Sequence, residues 1–362
     1  MQTASQIIFW QPIASPHQEA FLESLARKID GEVILGVEQP LPPARTAQGW
    51  QRANHTSVTI VDISIPANHA ALVAHTGPSA LHVFSGFFSH PLVWAGFQSL
   101  ALTSARLAIF SEAPEQPWQT GWLKRLRGRL LAARWAQRFA FVLAIGSVGC
   151  EFFSRIGFPH EKIVPFGYSL DVPPLPAPSS ARPQADDVCF VSAGQLIRRK
   201  GIDLLVRACA ELPATGWRLD IYGDGPERRR LEQLVRSLGL ANRVVLHGVV
   251  SNDDVRAALS QADCAVLPSR FDGWGMLVSE SLAAGTPVIC TNACGASMLV
   301  SADGLGSVVP ANRVAPLAAA VSQAVARGRI PTDTRVFINA HAADHASAER
   351  AAERFVEVLR RG

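Results

Sequence analysis

Short apolar runs alternate with amphipathic stretches along almost the whole chain, a rhythm that predicts parallel strands joined and covered by helices. In the first half the strand candidates are Ile7–Trp10, Val33–Gly36, Val58–Val61, Leu81–Ser85, Leu107–Phe110 and Val142–Ile145, with Ile163–Pro165 as a short last one. In the second half they are Val188–Ala193, Arg218–Tyr222, Val244–His247 and Cys264–Leu267, with helices expected over 200–212, 226–238 and 253–259. Residues 172–183 read VPPLPAPSSARP, too rich in proline for helix or central strand. The predicted organisation is therefore α/β: a first doubly wound domain over 1–171, a linker over 172–186 and a second such domain over 187–341. A charged helix over 342–362 is expected to pack back on the first domain. Ligands of such folds gather at the carboxyl ends of strands, here in a cleft between the domains.

Composition limits the functional classes. The hydrophobic fraction of 48% and charged fraction of 18% are those of a globular protein. The most lipid-like stretch, 92–110, is interrupted by Gln98, Ser104 and Arg106, so no spanning helix is expected. The chain runs from Met1 into Ile7-Ile8-Phe9-Trp10 without a basic region, so no signal peptide is expected. The six cysteines form no C-x-x-C pair and read as small core residues of a reduced, cytoplasmic protein. A net charge of +4 is too small to imply nucleic acid. Its distribution matters more. Residues 118–139 carry Lys124, Arg125, Arg127, Arg129, Arg134 and Arg138 with no acid, and Trp122, Leu123, Leu126, Leu130 and Leu131 at helical spacing. Two readings stand open: a helix lying on an anionic membrane surface, which makes the protein peripheral at the inner face of the plasma membrane, or a domain helix with its apolar stripe in the core and its arginines in water.

The most informative segment is 268–289, PSRFDGWGMLVSESLAAGTPVI. Asp272 opens a Gly-x-Gly loop, and Glu280 follows in the first turns of a helix beginning near Met276. Unpaired amides and the helix dipole favour an anion there, and Gly273 and Gly275 permit close backbone approach. Glu280, one turn on, can accept two ribose hydroxyls. Read alone, the segment fits equally well a glycine turn with a favourably placed acid. A basic turn, Gly194-Gln195-Leu196-Ile197-Arg198-Arg199-Lys200-Gly201, follows the Val188–Ala193 strand, and cations there can neutralise a diphosphate or simply be solvated. Gly223 and Gly225 flank Asp224 before Pro226, read as a first helical position, and His247-Gly248-Val249 end the next strand. Their backbone suits a nucleobase or ribose, while His247 reads more simply as an edge histidine.

Taken in order, GQLIRRKGIDLL, IYGDGPERRRLE, VVLHGVV and ADCAVLPSRFDGWGMLVSESLAAGTPVI resemble glycosyltransferase family 4, the retaining transferases of GT-B fold. The likeness is specific over about 188–289. It implies two Rossmann-like domains facing across a cleft and transfer of a sugar from a UDP- or GDP-linked donor to an acceptor hydroxyl, without metal or other cofactor. The setting implied is bacterial surface polysaccharide, lipopolysaccharide or lipid-linked glycan assembly. It further implies that Lys200 and Arg199 meet the diphosphate, Glu280 the ribose and Asp272 the transferred sugar. The amides of Gly273, Trp274, Gly275, Met276 and Leu277 line the phosphates, and Gly194, Gln195, Gly223, Gly225, His247, Gly248 and Val249 complete the donor site. Gln195 replaces the family's usual arginine, and Asp272 stands where glutamate is usual. Those departures leave open a noncatalytic GT-B subunit partnering another transferase, or a nucleotide-sugar epimerase.

The first half is left to bind the acceptor, a glycan or lipid-linked glycan. Strand ends supply Ser15 and His17 from the first strand's loop, Gly86 and His90 after Leu81–Ser85, and Glu112 after Leu107–Phe110. Ser15 equally suits a cap for a helix starting at Pro16.

Overall fold

In the first half, seven strands pair in parallel: β1 (Gln6–Gln11), β2 (Glu32–Val37), β3 (Thr59–Asp62), β4 (Ala80–Phe84), β5 (Arg106–Ser111), β6 (Phe139–Ile145) and β7 (Ile163–Phe166). Their order is β3-β2-β1-β4-β5-β6-β7, so the winding reverses between β1 and β4. The second sheet, β8 (Val188–Ala193), β9 (Trp217–Tyr222), β10 (Val244–Gly248), β11 (Cys264–Leu267), β12 (Val288–Thr291) and β13 (Gly306–Val309), has the order β10-β9-β8-β11-β12-β13 and reverses between β8 and β11. This computed structural model describes residues 6–39, 56–86, 90–114, 122–175 and 187–361, with the side chains of 122–125 left aside. Much of the expected linker, 176–186, and residues 118–121 of the basic stretch lie outside the described residues. Two compact units result: Met1–Asp171 with Ser347–Gly362, and Val172–Ala346.

The first unit is built on aromatic residues sorted by strand alternation. On one face of its sheet Phe9 packs with Phe21 of α1 (Pro16–Lys28), Phe110 and Phe355, at centroid distances of 6.1, 6.4 and 6.0 Å. Phe355 belongs to the last helix, α12 (Ala348–Arg361). That helix is held to α1 by Lys28 bonded to Glu349 and Glu353, and to β5 by Arg106 donating to the Leu359 carbonyl. On the opposite face Trp10, Phe84, Phe97 and Phe139 join Ile8 and Ile34 under α2 (Pro66–Val73) and α3 (Pro91–Leu100). Proline opens α1, α2 and α3, where its missing N–H and fixed φ cost nothing.

Several expectations need correction. The single helix over 342–362 is two: α11 (Thr332–His345) ends at Ala346, where φ is −122°, and α12 starts after Ser347. The helix expected from 200 is α6 (Ile202–Cys209), because Gly201 sits at φ +69° and Arg198–Lys200 form a separate 3-10 turn. Pro226 precedes α7 (Arg228–Ser237) by a turn and does not open it. In α4 (Trp122–Trp135), Leu126 and Leu130 are 46% and 62% exposed, so they do not belong to a core stripe. Gly128, Ala132 and Ala136 face inward instead, with Gly128 against Ile156 of α5 (Gly146–Ile156). Arg138 is no free surface cation; it donates to the carbonyls of Ala101, Thr103 and Ala105.

His82 is wholly buried in β4. Its Nδ1 accepts from Trp10 Nε1 at 3.1 Å, so Nε2 carries the proton and donates to the His75 carbonyl at 2.7 Å. Burial drives its pKa from 6.5 down to about 4, against the opposing pull of the His75 carbonyl. A depressed histidine pKa means that the stability of the neutral form is complete above pH 6.5 and is lost as pH falls toward 4. Hydrogen exchange of β1 and β4 amides, corrected for intrinsic rate, is therefore expected to lose about 2 kcal/mol of protection between pH 7 and pH 5. In His82→Gln the slope should vanish; an unchanged slope would assign the acid sensitivity elsewhere.

Candidate functional site

In the second unit the reversal of winding places the carboxyl ends of β8 and β11 side by side, and the two motif loops leave the sheet there. They are tied together before any ligand is considered. The Arg270 guanidinium makes a two-pronged pair with Asp203 at 2.7 and 2.8 Å and also donates to the Arg198 carbonyl at 2.7 Å. The Arg270 amide donates to the Arg199 carbonyl at 2.7 Å. Burial alone would raise the Asp203 pKa, but hydrogen bonding and charge from Arg270 bring it below the ordinary value. Gly201 completes the seam: a side chain there would meet the Pro268 carbonyl oxygen at 2.1 Å.

Held by this seam, Lys200 Nζ reaches Asp272 Oδ2 at 2.6 Å. The same oxygen accepts from Ser269 Oγ at 3.2 Å, and Arg199 Nη1 stands 3.7 Å from Oδ1 while donating to the Phe271 carbonyl. Lys200 and Asp272 thus form one buried ion-paired cluster. Arg198 is exposed and Gln195 half-buried on the same turn, and neither side chain has a partner among the described residues.

Asp272 also anchors the loop backbone. Its amide donates to the Ala293 carbonyl at 2.9 Å and its carbonyl accepts from Gly295. The loop then passes Gly273 and Trp274, whose indole is buried and donates to Ser279 Oγ, and turns at Gly275 (φ +95°) into α9 (Met276–Ala283). A side chain on Gly275 would collide with Cys294 Sγ and Leu267. That glycine is therefore required by internal packing as well as by its φ. The first amides of α9, those of Met276 and Leu277, have no carbonyl one turn back within the helix. Glu280 rises from the first turns of α9, half-buried, and its carboxylate accepts no hydrogen bond among the described residues. Desolvation raises its pKa, against attraction from Arg256 and Lys200.

The ends of β8, β9 and β10 are knitted backbone to backbone. Gly194 N–H donates to the Tyr222 carbonyl at 3.0 Å and Gly223 N–H to the Gly248 carbonyl at 2.7 Å. A Cβ on Gly223 would lie 1.9 Å from the Gly194 oxygen, and one on Gly225 2.5 Å from the Leu196 oxygen. The close approach expected of Gly223 and Gly225 is thus made to the chain itself. His247 is an edge histidine: its ring stacks on Tyr222 at 4.6 Å and its Nε2 donates to Asp220 at 2.7 Å, while Val249 is exposed beside it. Arg270, Asp203, Tyr222 and Asp220 escaped sequence reasoning. Only the proximity of Arg270 to Asp272 in the chain hinted at its role.

Two of the first unit's candidates, His17 and Glu112, meet at Tyr168. Ser15 is the residue before α1, but its hydroxyl makes no capping bond. Glu112 is occupied by the half-buried Tyr168, whose pKa is raised by desolvation first and by the Glu112 charge and hydrogen bond next; His17 lies against the Tyr168 ring at 6.3 Å. Gly86 takes φ +81° directly after Ser85, and His90 precedes α3. Burial lowers the His90 pKa while the Glu38 charge raises it.

Residues 178–340 match the family model "Glycosyl transferases group 1". The putative colanic acid biosynthesis glycosyltransferase WcaL of Escherichia coli K12 is 31% identical over 190 residues, 50% of this chain and 47% of the relative. The lipopolysaccharide core biosynthesis glycosyltransferase LpsE of Rhizobium meliloti is 34% identical over 148 residues, 41% of this chain and 42% of the relative. The chain spans about half the length of such curated relatives. Over the whole chain the fold is that of the GT-B structures. Anabaena HepE, solved with UDP, superposes with a TM-score of 0.75 at 19% identity, covering 99% of this chain and 100% of its own. The lipopolysaccharide outer core galactosyltransferase WaaB, in its apo form, gives 0.70 at 16%, covering 98% and 99%.

A carboxyl group whose pKa is raised by folding is a net cost wherever it is ionised, and costs nothing below its unfolded value. Glu280→Gln is expected to raise the melting temperature at pH 8, with the gain disappearing by pH 4. A lower melting temperature at pH 8 would mean that the ionised carboxylate is a structural partner.

Proposed function

We propose that this chain, whose residues 178–340 belong to the glycosyl transferases group 1 family, moves a sugar from a nucleoside diphosphate donor to an acceptor hydroxyl with retention of configuration. The observation that carries the reading is the convergence, at the β8/β11 switch, of Lys200, the open start of α9 and the Glu280 carboxylate, which has no hydrogen-bond partner among the described residues. A diphosphate has use for cations and free amides, and a ribose for an acceptor-only carboxylate. HepE, of the same fold, is solved with UDP, and the two curated relatives named above are a putative colanic acid biosynthesis glycosyltransferase and a lipopolysaccharide core biosynthesis glycosyltransferase. Both support a nucleotide sugar used in surface glycan assembly.

Arrival of the diphosphate exchanges one anion for another at Lys200. The phosphate takes the ammonium, and the Asp272 carboxylate turns to the sugar hydroxyls. Lys200, with Arg198 and Arg199 on the same turn, then stabilises charge developing on the departing diphosphate, the principal electrostatic task in such a transfer. Arg198 is exposed and within two residues of Lys200, so it offsets the positive charge missing at Gln195. Attack by the acceptor hydroxyl on the face that the leaving group vacates gives retention, with no covalent carboxylate nucleophile.

The exposed side of α4 supports a lipid-linked acceptor. Leu126 and Leu130 stand in solvent with Arg129 and Arg134 beside them, an apolar centre flanked by cations. Among the described residues no helix is long and apolar enough to cross a membrane, so contact through α4 is interfacial.

Lys200→Ala and Glu280→Ala are each expected to lower transfer at least about 100-fold with the fold intact by circular dichroism. Titration calorimetry should show one site for UDP or GDP, weakened in both variants. Binding of neither nucleotide by the wild type would favour a noncatalytic subunit. Separately, the protein should sediment with anionic liposomes at low salt and be released at high salt, and Leu126→Glu/Leu130→Glu should abolish sedimentation. No sedimentation of the wild type at low salt would remove the membrane contact.

A further inference from the structure

Lys200 is carried by a turn too short to hold itself. Arg198–Lys200 form a single 3-10 turn, and its closing bond, from the Gly201 N–H to the Arg198 carbonyl, is 3.2 Å long. Turns of this kind have poorly aligned hydrogen bonds. The lysine stem runs over Gly194, where a side chain would stand 3.8 Å from Lys200 Cε, so no bulky residue confines it from that side. A long stem on a weak turn leaves an ammonium poorly placed unless something else holds the turn.

Arg270 supplies what the turn lacks. The Arg198 carbonyl that closes the turn, two residues before Lys200, also accepts from Arg270 Nη1 at 2.7 Å. Three residues after Lys200, in the first turn of α6, the two Asp203 oxygens accept from Nη1 and Nη2 at 2.7 and 2.8 Å. One rigid guanidinium thus grips the chain on both sides of the lysine. Its remaining nitrogen, Nε, donates to Asn312 Oδ1 at 3.1 Å in the turn after β13. Asn312 is the one non-glycine residue with positive φ among the described residues, at +61°, a conformation that asparagine tolerates better than most. The guanidinium is therefore oriented from a third loop as well.

The two grips on Lys200 differ in permanence. Asp272, two positions after Arg270 in the same loop, meets the ammonium directly at 2.6 Å and is the partner that a diphosphate would displace. Arg270 bonds the Arg198 carbonyl and Asp203 rather than the ammonium, so it has nothing to release when an anion arrives. We propose that Arg270 is a positioning residue for Lys200: clamped by Asp203 and braced by Asn312, it keeps the lysine in place while Asp272 is exchanged for phosphate. This rests on the transferase reading and adds to it the residues that hold its cation through the exchange.

The test measures UDP or GDP affinity of the full chain by titration calorimetry. Arg270→Lys keeps the charge but loses the planar fork that serves Asp203, Arg198 and Asn312 together. It is expected to weaken the nucleotide about fivefold in the otherwise native chain and less than about twofold in a Lys200→Ala background, because its effect passes through Lys200. An equal loss in both backgrounds would make Arg270 merely structural and overturn the assignment, as would no loss in the first. Asp203→Asn, close in shape to the native residue, should repeat the pattern and decides the question should Arg270→Lys not fold. Asn312→Gly retains the positive φ and removes only the third bond, so affinity should fall about twofold with no fall in melting temperature. Unchanged affinity there would strike Asn312 from the clamp. A second readout needs no nucleotide: labelling of Lys200 by acetic anhydride, quantified by mass spectrometry against Lys162 of the first unit. The Lys200 rate should rise about threefold in Arg270→Lys and Asp203→Asn while that of Lys162 stays constant. An unchanged Lys200 rate would overturn the positioning role. Failure of the wild type to bind either nucleotide would count against the transferase reading, with the labelling still deciding whether Arg270 places Lys200.

Discussion

The second unit's chemistry depends on Arg270. A guanidinium that satisfies Asp203 with two parallel bonds and also takes the Arg198 carbonyl leaves the basic turn no freedom to drift from the β11 loop. The backbone bond from Arg270 to Arg199 and the contact between Gly201 and Pro268 fix the same seam at two more points. The spacing between Lys200 and Asp272 is a consequence. A lysine side chain carries several free rotors, and its ammonium is directional only when its Cα is held. Holding it from the neighbouring loop places the cation in advance, so that an anion bound there as proposed would cost less ordering entropy.

This seam explains why two acids in one small region have different characters. Asp272 is embedded among Lys200, Ser269 and two backbone bonds, and its charge is met by the protein. Glu280 is desolvated, its carboxylate has no hydrogen-bond partner among the described residues, and Arg256 and Lys200 meet its charge at a distance. One carboxylate is part of the framework while the ligand is absent; the other is held unsatisfied. A fold selected for stability alone would neutralise the second or move it to water.

How far the sequence could be read follows from which interactions are local. The strands were legible because apolar runs of four to six residues between turns report burial directly, and each predicted one from Ile7–Trp10 to Cys264–Leu267 has its counterpart. Lys200, Asp272 and Glu280 stood out because they lie in short motifs. Arg270 and Asp203 are 67 positions apart, and nothing in either segment alone announces the pair. The glycines at 223, 225 and 275 were legible only in part for a related reason. A glycine marks a close approach but not what approaches, and here the neighbours are Gly194, Leu196 and Cys294. Leu126 and Leu130 were ambiguous because helical spacing reveals a stripe without saying whether protein or another phase covers it. The inward face of that helix uses Gly128, Ala132 and Ala136, residues too small to register as a stripe.

The two switch points differ in how their polar groups are settled, and the difference bears on what each must do. Around β8 and β11 the cations and Asp272 are paired in advance, so a charged ligand has to displace an existing contact and gains specificity from the exchange. Around β1 and β4 the Gln11 amide nitrogen and the Ser85 hydroxyl have no hydrogen-bond partner among the described residues. A paired ionic site suits a strongly charged ligand, since diphosphate has the charge to compete with a carboxylate for ammonium.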